Sequence, residues 1–211
     1  MAVALQELRK QLREKFPQAL ASLEENGSFS STTAASFSVE MFPAGGISEV
    51  VPDGTEAPLG LLLANLIGDP AQSSPLPDLI LVDGGDGFDP ESFTEAACSK
   101  LLWLRCTSAL EMLRVGELFV KDGNVPFVLL DTVSLPPREL KAVQASVWWR
   151  LRQLAERTAC RLVVLSPFPL IPCASLRLTL TANVSLTDFD SPRRELLGRL
   201  AAHRERLRRA T

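Results

Sequence analysis

Gly46-Ile47-Ser48-Glu49-Val50-Val51-Pro52-Asp53-Gly54-Thr55-Glu56-Ala57-Pro58-Leu59-Gly60-Leu61-Leu62-Leu63-Ala64-Asn65-Leu66-Ile67 is the stretch on which the fold reading turns. It has the layout of a strand, a turn-rich loop and a long apolar helix. The same layout repeats outward from it. Asp78–Asp83, Lys100–Arg105, Pro126–Asp131 and Arg161–Ser166 read as further strands, bounded by Gly, Pro and Asp. Between them, Ser108–Glu111 forms a capping box opening one helix, and Pro136-Pro137 opens another that runs to Ala159. Strands alternating with helices of this length predict an α/β fold with a mainly parallel central sheet flanked by helices on both faces. Ser175–Leu186 alternates as antiparallel edge strands do.

The loop inside the opening stretch has the frame of a phosphate-binding loop, G-x-x-x-x-G-K-[ST]. In that motif glycines let backbone N–H groups close on the phosphates, Lys reaches the outer phosphates, and Ser or Thr holds Mg²⁺. The corresponding positions here are Pro52, Asp53, Gly54, Thr55, Glu56, Ala57, Pro58 and Leu59. Pro58 stands where the Lys belongs and offers neither charge nor N–H. Leu59 offers no metal ligand, and Asp53 and Glu56 repel a triphosphate. The stretch reads as a nucleotide-binding scaffold without its nucleotide, with Pro58 suited to the first helical turn. No cofactor is expected.

Composition narrows the class. The 211 residues are 46% hydrophobic, enough for one full core with appendages. No apolar run reaches the ~18 residues of a membrane helix, and no apolar h-region follows the N-terminal basic residues, so a cytoplasmic protein is expected. Cys98, Cys106, Cys160 and Cys173 lack C-x-x-C spacing and have only His203 to join them. They read as buried thiols, and no metal site is expected.

The net charge of −3 conceals an asymmetry. From Arg193 onward seven Arg stand against two Glu, giving +5 and leaving −8 for residues 1–192. The chain therefore divides into residues 1–38, an amphipathic helix and linker; 39–190, the core; and 191–211, a basic C-terminal helix. In the first, Leu5, Leu8, Leu12, Phe16, Ala19 and Leu23 recur at helical spacing, with Pro17 bending or dividing the helix. In the last, Ser191-Pro192 resembles a helix start, and Leu196, Leu200, His203 and Leu207 form one stripe. Arg193, Arg194, Arg204 and Arg208 surround it. Three readings stay open for this tail: a solvated helix, a helix docked in a partner's groove, and a weak contact to DNA phosphates.

Asp83, Asp86, Asp89 and Asp131 gather at the carboxyl edge of the expected sheet, where ligands of such folds bind. They serve either as caps of strands and turns or as a site for a metal with a nucleotide. Trp148 and Trp149 are adjacent on a helix, so both cannot face one core. One of them lies at a boundary, beside Arg150 and Arg152, where it can anchor an interface.

From about Phe42 to Leu186 the succession resembles the RecA core. Gly46-Ile47-Ser48-Glu49-Val50 looks like the strand entering that family's P-loop. Leu81-Val82-Asp83 with Phe88-Asp89-Pro90 looks like its next strand and turn, and Leu129-Leu130-Asp131-Thr132-Val133 like its Walker B segment. Ala174-Ser175-Leu176-Arg177-Leu178 resembles its late strand. The catalytic Glu of the family corresponds to Gly85, and its polar switch residue to Ser166-Pro167. Its mobile DNA-binding loop shrinks to Phe168–Ile171 between prolines. The resemblance therefore implies a RecA-like P-loop fold with a degenerate Walker A motif and a relict Walker B Asp131, without hydrolysis or filament formation on DNA.

Such a chain is similar to the ImuA-type accessory proteins of bacterial DNA repair. That resemblance implies a non-enzymatic role in the SOS response, in mutagenic translesion synthesis. The implied partners are RecA, an ImuB-like polymerase homologue and an error-prone replicative polymerase, with homo-oligomers as a further option. SulA-type cell-division inhibitors share the fold, as do accessory subunits of Elongator. The alternatives are thus a division inhibitor or a RecA-like ATPase with an unusual loop.

Overall fold

The computed structural model describes Phe37 and residues 39–54, 57–67 and 79–205, all within the compact unit Thr32–Thr211. The helix expected over residues 3–23 lies outside the described residues, as do Leu207 and Arg208. The elements in chain order are β1 (Gly46–Pro52), α1 (Ala57–Ile67), β2 (Leu79–Asp83), α2 (Glu95–Cys98), β3 (Leu101–Arg105), α3 (Ala109–Asp122) and β4 (Phe127–Asp131). They continue with α4 (Pro137–Ala142), α5 (Ala145–Thr158), β5 (Arg161–Leu165), β6 (Leu176–Ala182), α6 (Arg193–Leu197) and β7 (Leu200–Glu205).

The strands form one sheet in the order β3-β2-β4-β5-β1-β6-β7. Every pairing is parallel except that of β6 with β7. This is an α/β architecture with a mostly parallel sheet flanked by helices. The apolar runs Leu79–Val82, Phe127–Leu130 and Leu162–Leu165 are buried throughout, as strands covered on both faces must be. Successive side chains point to opposite faces, and the core divides accordingly. Val50, Leu81, Leu129 and Val163 join one layer with α1 and α6, while Ile47, Val82, Leu130 and Val164 join the other with α3, α4 and α5.

Local chemistry sets the helix ends. Ser108 accepts the Glu111 N–H at 3.3 Å, and the Glu111 carboxylate accepts the N–H and hydroxyl of Thr107, at 2.8 and 3.0 Å. These bonds hold the Glu111 carboxyl below the usual range. Gly123, at φ 71°, closes α3 in the left-handed conformation that glycine adopts without strain. The single helix expected to run to Ala159 is in fact two. Val143 is extended at φ −67°, ψ 120°, and the break lets α4 direct Leu140, and α5 direct Trp148, Leu151 and Ala155, into one core.

The tail corrects a larger expectation. Residues 191–211 do not form one basic helix: α6 stops after five residues, and Leu200–Glu205 pairs antiparallel with β6. Leu200 and Ala202 then alternate into the core layer that holds Leu176, Leu178 and Leu180. Leu196 and Leu200 satisfy a helical spacing and also a turn followed by a strand. Pairing with the otherwise uncovered β6 decides between the two. Ser175–Leu186 accordingly supplies one strand rather than an antiparallel pair, with β7 as its antiparallel neighbour. Among the described residues no helix is long and apolar enough to cross a membrane.

Candidate functional site

At the corner between β1 and α1, Pro58 is the second residue of the helix and is buried. Leu59 is in the core with Leu62 and Leu63. Pro52 ends β1, and the N–H of Asp53 donates to Leu180 O at 2.8 Å, tying the corner to β6. A phosphate cradle needs free N–H groups and a cation here. Pro58 has no N–H to offer, and the Leu59 side chain is committed to the core.

The crevice between β2 and β4 is the second place where a sheet of this order can hold a ligand, because the connections leaving these strands run to opposite faces. Asp83 and Asp131 are paired in register at its mouth. Asp83 is buried, and its carboxylate is fully engaged. Oδ1 accepts from the N–H groups of Gly85 and Gly87 at 3.2 and 3.1 Å, and Oδ2 from Phe88 N–H at 3.0 Å and Trp103 Nε1 at 3.3 Å. The turn that wraps Asp83 is pressed against the segment after β4. A Cβ on Gly85 would fall 2.3 Å from Ser134 Cβ, and one on Gly84 would fall 2.7 Å from Leu135 Cδ1. At Gly85 only a residue without a side chain permits this approach.

The other acids are also in local use. Asp131 accepts the Val133 N–H at 3.0 Å. Asp89 caps a turn through Glu91 N–H and the Ser92 hydroxyl, and exposed Asp86 pairs with Arg105 at 2.8 Å. Among the described residues no group of three or more His, Cys, Asp or Glu is placed to hold a metal. Asp83 and Asp131 end neighbouring strands at the carboxyl edge, with Asp86 and Asp89 in the turn that follows, and of the two readings the acids follow the one in which they cap strands and turns.

One buried, fully engaged carboxylate was not singled out from the sequence. Glu49, in the middle of β1, is fully buried. Its Oε1 accepts from Leu170 N–H and from Ile171 N–H at 3.0 Å, and its Oε2 from Arg177 Nε at 2.7 Å. Arg177 Nη2 donates to Ile171 O at 3.0 Å, and its Nη1 lies 3.6 Å from Glu205 on β7. Thr179 donates to the same Glu205 at 3.1 Å. Burial pushes the Glu49 carboxyl above its usual 4.5, against the lowering effect of the Leu170 N–H, Arg177 and the Ile171 N–H. The network fastens the proline-rich loop after β5 to the central strand, and Ser166 secures its start by donating to Phe168 O at 2.6 Å. The signal in the sequence was a lone Glu inside an apolar strand, a residue type rarely buried without a partner.

The expected partner-binding residues separate. Leu196 and Leu200 are buried in the core and so are not available to a partner's groove, while Leu207 lies outside the described residues. Arg204 is exposed on β7, and exposed Arg193 lies over the Phe93 ring at 4.6 Å. Arg194 belongs to α6. Of the two tryptophans, Trp148 is 1% exposed and belongs to the core, which removes it as an interface anchor; Trp149 is 40% exposed, with Arg152 over its ring at 5.5 Å.

Cys106, Cys160 and Cys173 are buried. Burial pushes all three thiols up, Cys160 to about 11, which leaves little thiolate at neutral pH. Ellman's reagent at pH 8 is expected to titrate Cys98 alone in the folded protein and the other three only after denaturation. A second thiol reacting as fast as Cys98 would contradict this burial. Comparison with protein-family models and with curated proteins returns no match.

Proposed function

We propose that this chain is a non-catalytic RecA-like scaffold that serves bacterial DNA damage tolerance through protein contacts. The observation that carries the reading is the glycine turn after β2, which packs tightly on the segment after β4 and wraps Asp83. That acid spends its oxygens on Gly85, Gly87, Phe88 and Trp103. The buried Pro58 and Leu59 at the corner of α1 support it further, as does the loop after β5, bound down at Glu49 where a DNA-binding loop needs freedom. The partners in this reading are RecA itself, an inactive polymerase-like protein and an error-prone replicative polymerase. The exposed arginines Arg193 and Arg204 are the contacts offered to them.

Two measurements test it together. Mg-ATP is expected to leave the thermal midpoint unchanged; saturable stabilisation that disappears in Asp131→Ala would overturn the silent scaffold. Affinity capture with the full chain is expected to retain at least one of the three partners, and Arg193→Glu with Arg204→Glu to weaken that capture about tenfold or more. A folded chain that retains none of them removes the adaptor role.

A further inference from the structure

The two edges of the sheet are built differently. The outer strand β7 carries exposed His203 and Arg204, and charged residues of this kind discourage pairing with another strand. At the other edge β3 reads Leu101-Leu102-Trp103-Leu104-Arg105, four consecutive apolar residues. Among the described residues it pairs only with β2. Leu102 is 48% exposed, and Leu101, Trp103 and Leu104 are only partly buried.

The pairing with β2 fixes which backbone groups of β3 face outward. Leu79 N–H donates to Lys100 O at 3.2 Å, and Cys106 N–H donates to Asp83 O at 2.8 Å. With Leu79 opposite Leu101 and Asp83 opposite Arg105, the parallel ladder uses the amides of residues 100, 102, 104 and 106. The N–H and C=O groups of Leu101, Trp103 and Arg105 therefore point away from the sheet.

From this alternation we infer that a second copy of this chain pairs with β3 along the same strand, antiparallel and centred on Trp103. In that register Trp103 meets the partner's Trp103, and Leu101 meets the partner's Arg105. Every outward-facing residue then falls in a hydrogen-bonded pair. Shifting the register by two residues leaves one outward residue on each chain without a partner, and shifting it by one sets outward amides against inward ones. The side chains agree with the backbone. Leu102 lies opposite the partner's Leu104 on the face covered by α3, and both become sheltered. Trp103, with Arg105 over its ring at 4.6 Å, lies against its own copy on the other face. Like charges do not meet, because Lys100 falls opposite the partner's Cys106 rather than opposite a basic residue. The contact is isologous and closes at two subunits, joining two sheets into one. The inference rests on the backbone of β3 and does not depend on the partner assignment of Arg193 and Arg204.

Sedimentation of the full chain across the micromolar range is expected to give a dimer. Leu102→Lys, an exposed change that leaves circular dichroism unaltered, is expected to weaken dimerisation at least about tenfold. A second measurement uses disulfides. The opposed positions 102 and 104 form a non-hydrogen-bonded pair, whose Cα separation of about 4.5 Å suits a disulfide. In a Cys98→Ser background, oxidising a mixture of Leu102→Cys and Leu104→Cys chains is expected to yield a cross-linked heterodimer, while either variant alone yields little. A wild-type chain that stays monomeric overturns the inference. So does a dimer indifferent to Leu102→Lys, or cross-linking that is equal in the mixed and single-variant samples.

Discussion

Replacing Glu49 with alanine is expected to lower the thermal midpoint by about 6–12 °C, from a stability loss of about 3 kcal/mol at 2–4 °C per kcal/mol. Alanine removes the acceptor for two loop amides and leaves Arg177, 15% exposed at its side chain, with its bond to Ile171 O and the longer contact to Glu205. Breaking one side of a buried pair costs more than the pair contributes, because the remaining group is both desolvated and unmatched. Differential scanning calorimetry checks the figure; a shift below about 2 °C would mean that solvent or a neighbour takes over the role of the carboxylate.

The same residue gives a pH dependence of definite sign. Because the Glu49 carboxyl is raised above 4.5 in the folded chain, the native state holds its proton more firmly than the unfolded state. The stability linked to this group is full below 4.5 and is lost as pH rises through the folded value. Glu49→Gln has no proton to lose. The stability of the wild type relative to Glu49→Gln is therefore expected to fall as pH increases past 4.5, and an increase over that range would contradict the raised value.

Truncation at Asp190 is the second large effect. Removing residues 191–211 takes Leu196, Leu200 and Ala202 out of the core and uncovers the apolar face of β6 formed by Leu176, Leu178 and Leu180. The two leucines alone account for about 3–6 kcal/mol of burial, a large part of the 5–15 kcal/mol by which domains are typically stable. The shortened chain is expected to lose its cooperative thermal transition and bind a hydrophobic dye. Truncation after Glu205, which keeps β7, is expected to leave the transition in place. If both truncated chains melt like the full one, β7 does not contribute to the core as its burial indicates.

The strands and helices of the core were legible because Leu79–Val82, Phe127–Leu130 and Leu162–Leu165 are apolar blocks set between turn residues, and Ser108 marks a helix start by a hydrogen bond confined to a few residues. The tail was not, since Leu196 and Leu200 fit two periodicities and only the spatial neighbour, β6, selects one. The break at Val143 was hidden for a related reason: the apolar spacing continues across it, while the need to aim Leu140 and Trp148 into one core arises from tertiary packing. At the corner between β1 and α1, the proline and leucine that open the helix could be read directly. The role of Asp83 depended on a glycine turn closing against Ser134, and that of Glu49 on a partner 128 positions away.

The place of β1 in the sheet has a consequence for biosynthesis. It is the first strand of the sheet to leave the ribosome, yet its neighbours in the sheet are β5 and β6, and Leu170, which meets its buried carboxylate, follows Glu49 by 121 residues. At the usual ~5–20 residues per second of synthesis, that interval lasts roughly 6–24 s. Throughout it an apolar strand carrying a charge in its middle has neither neighbour nor counter-ion. A charge inside an apolar segment opposes its aggregation while the segment is exposed, and Glu49 is the charge that β1 carries.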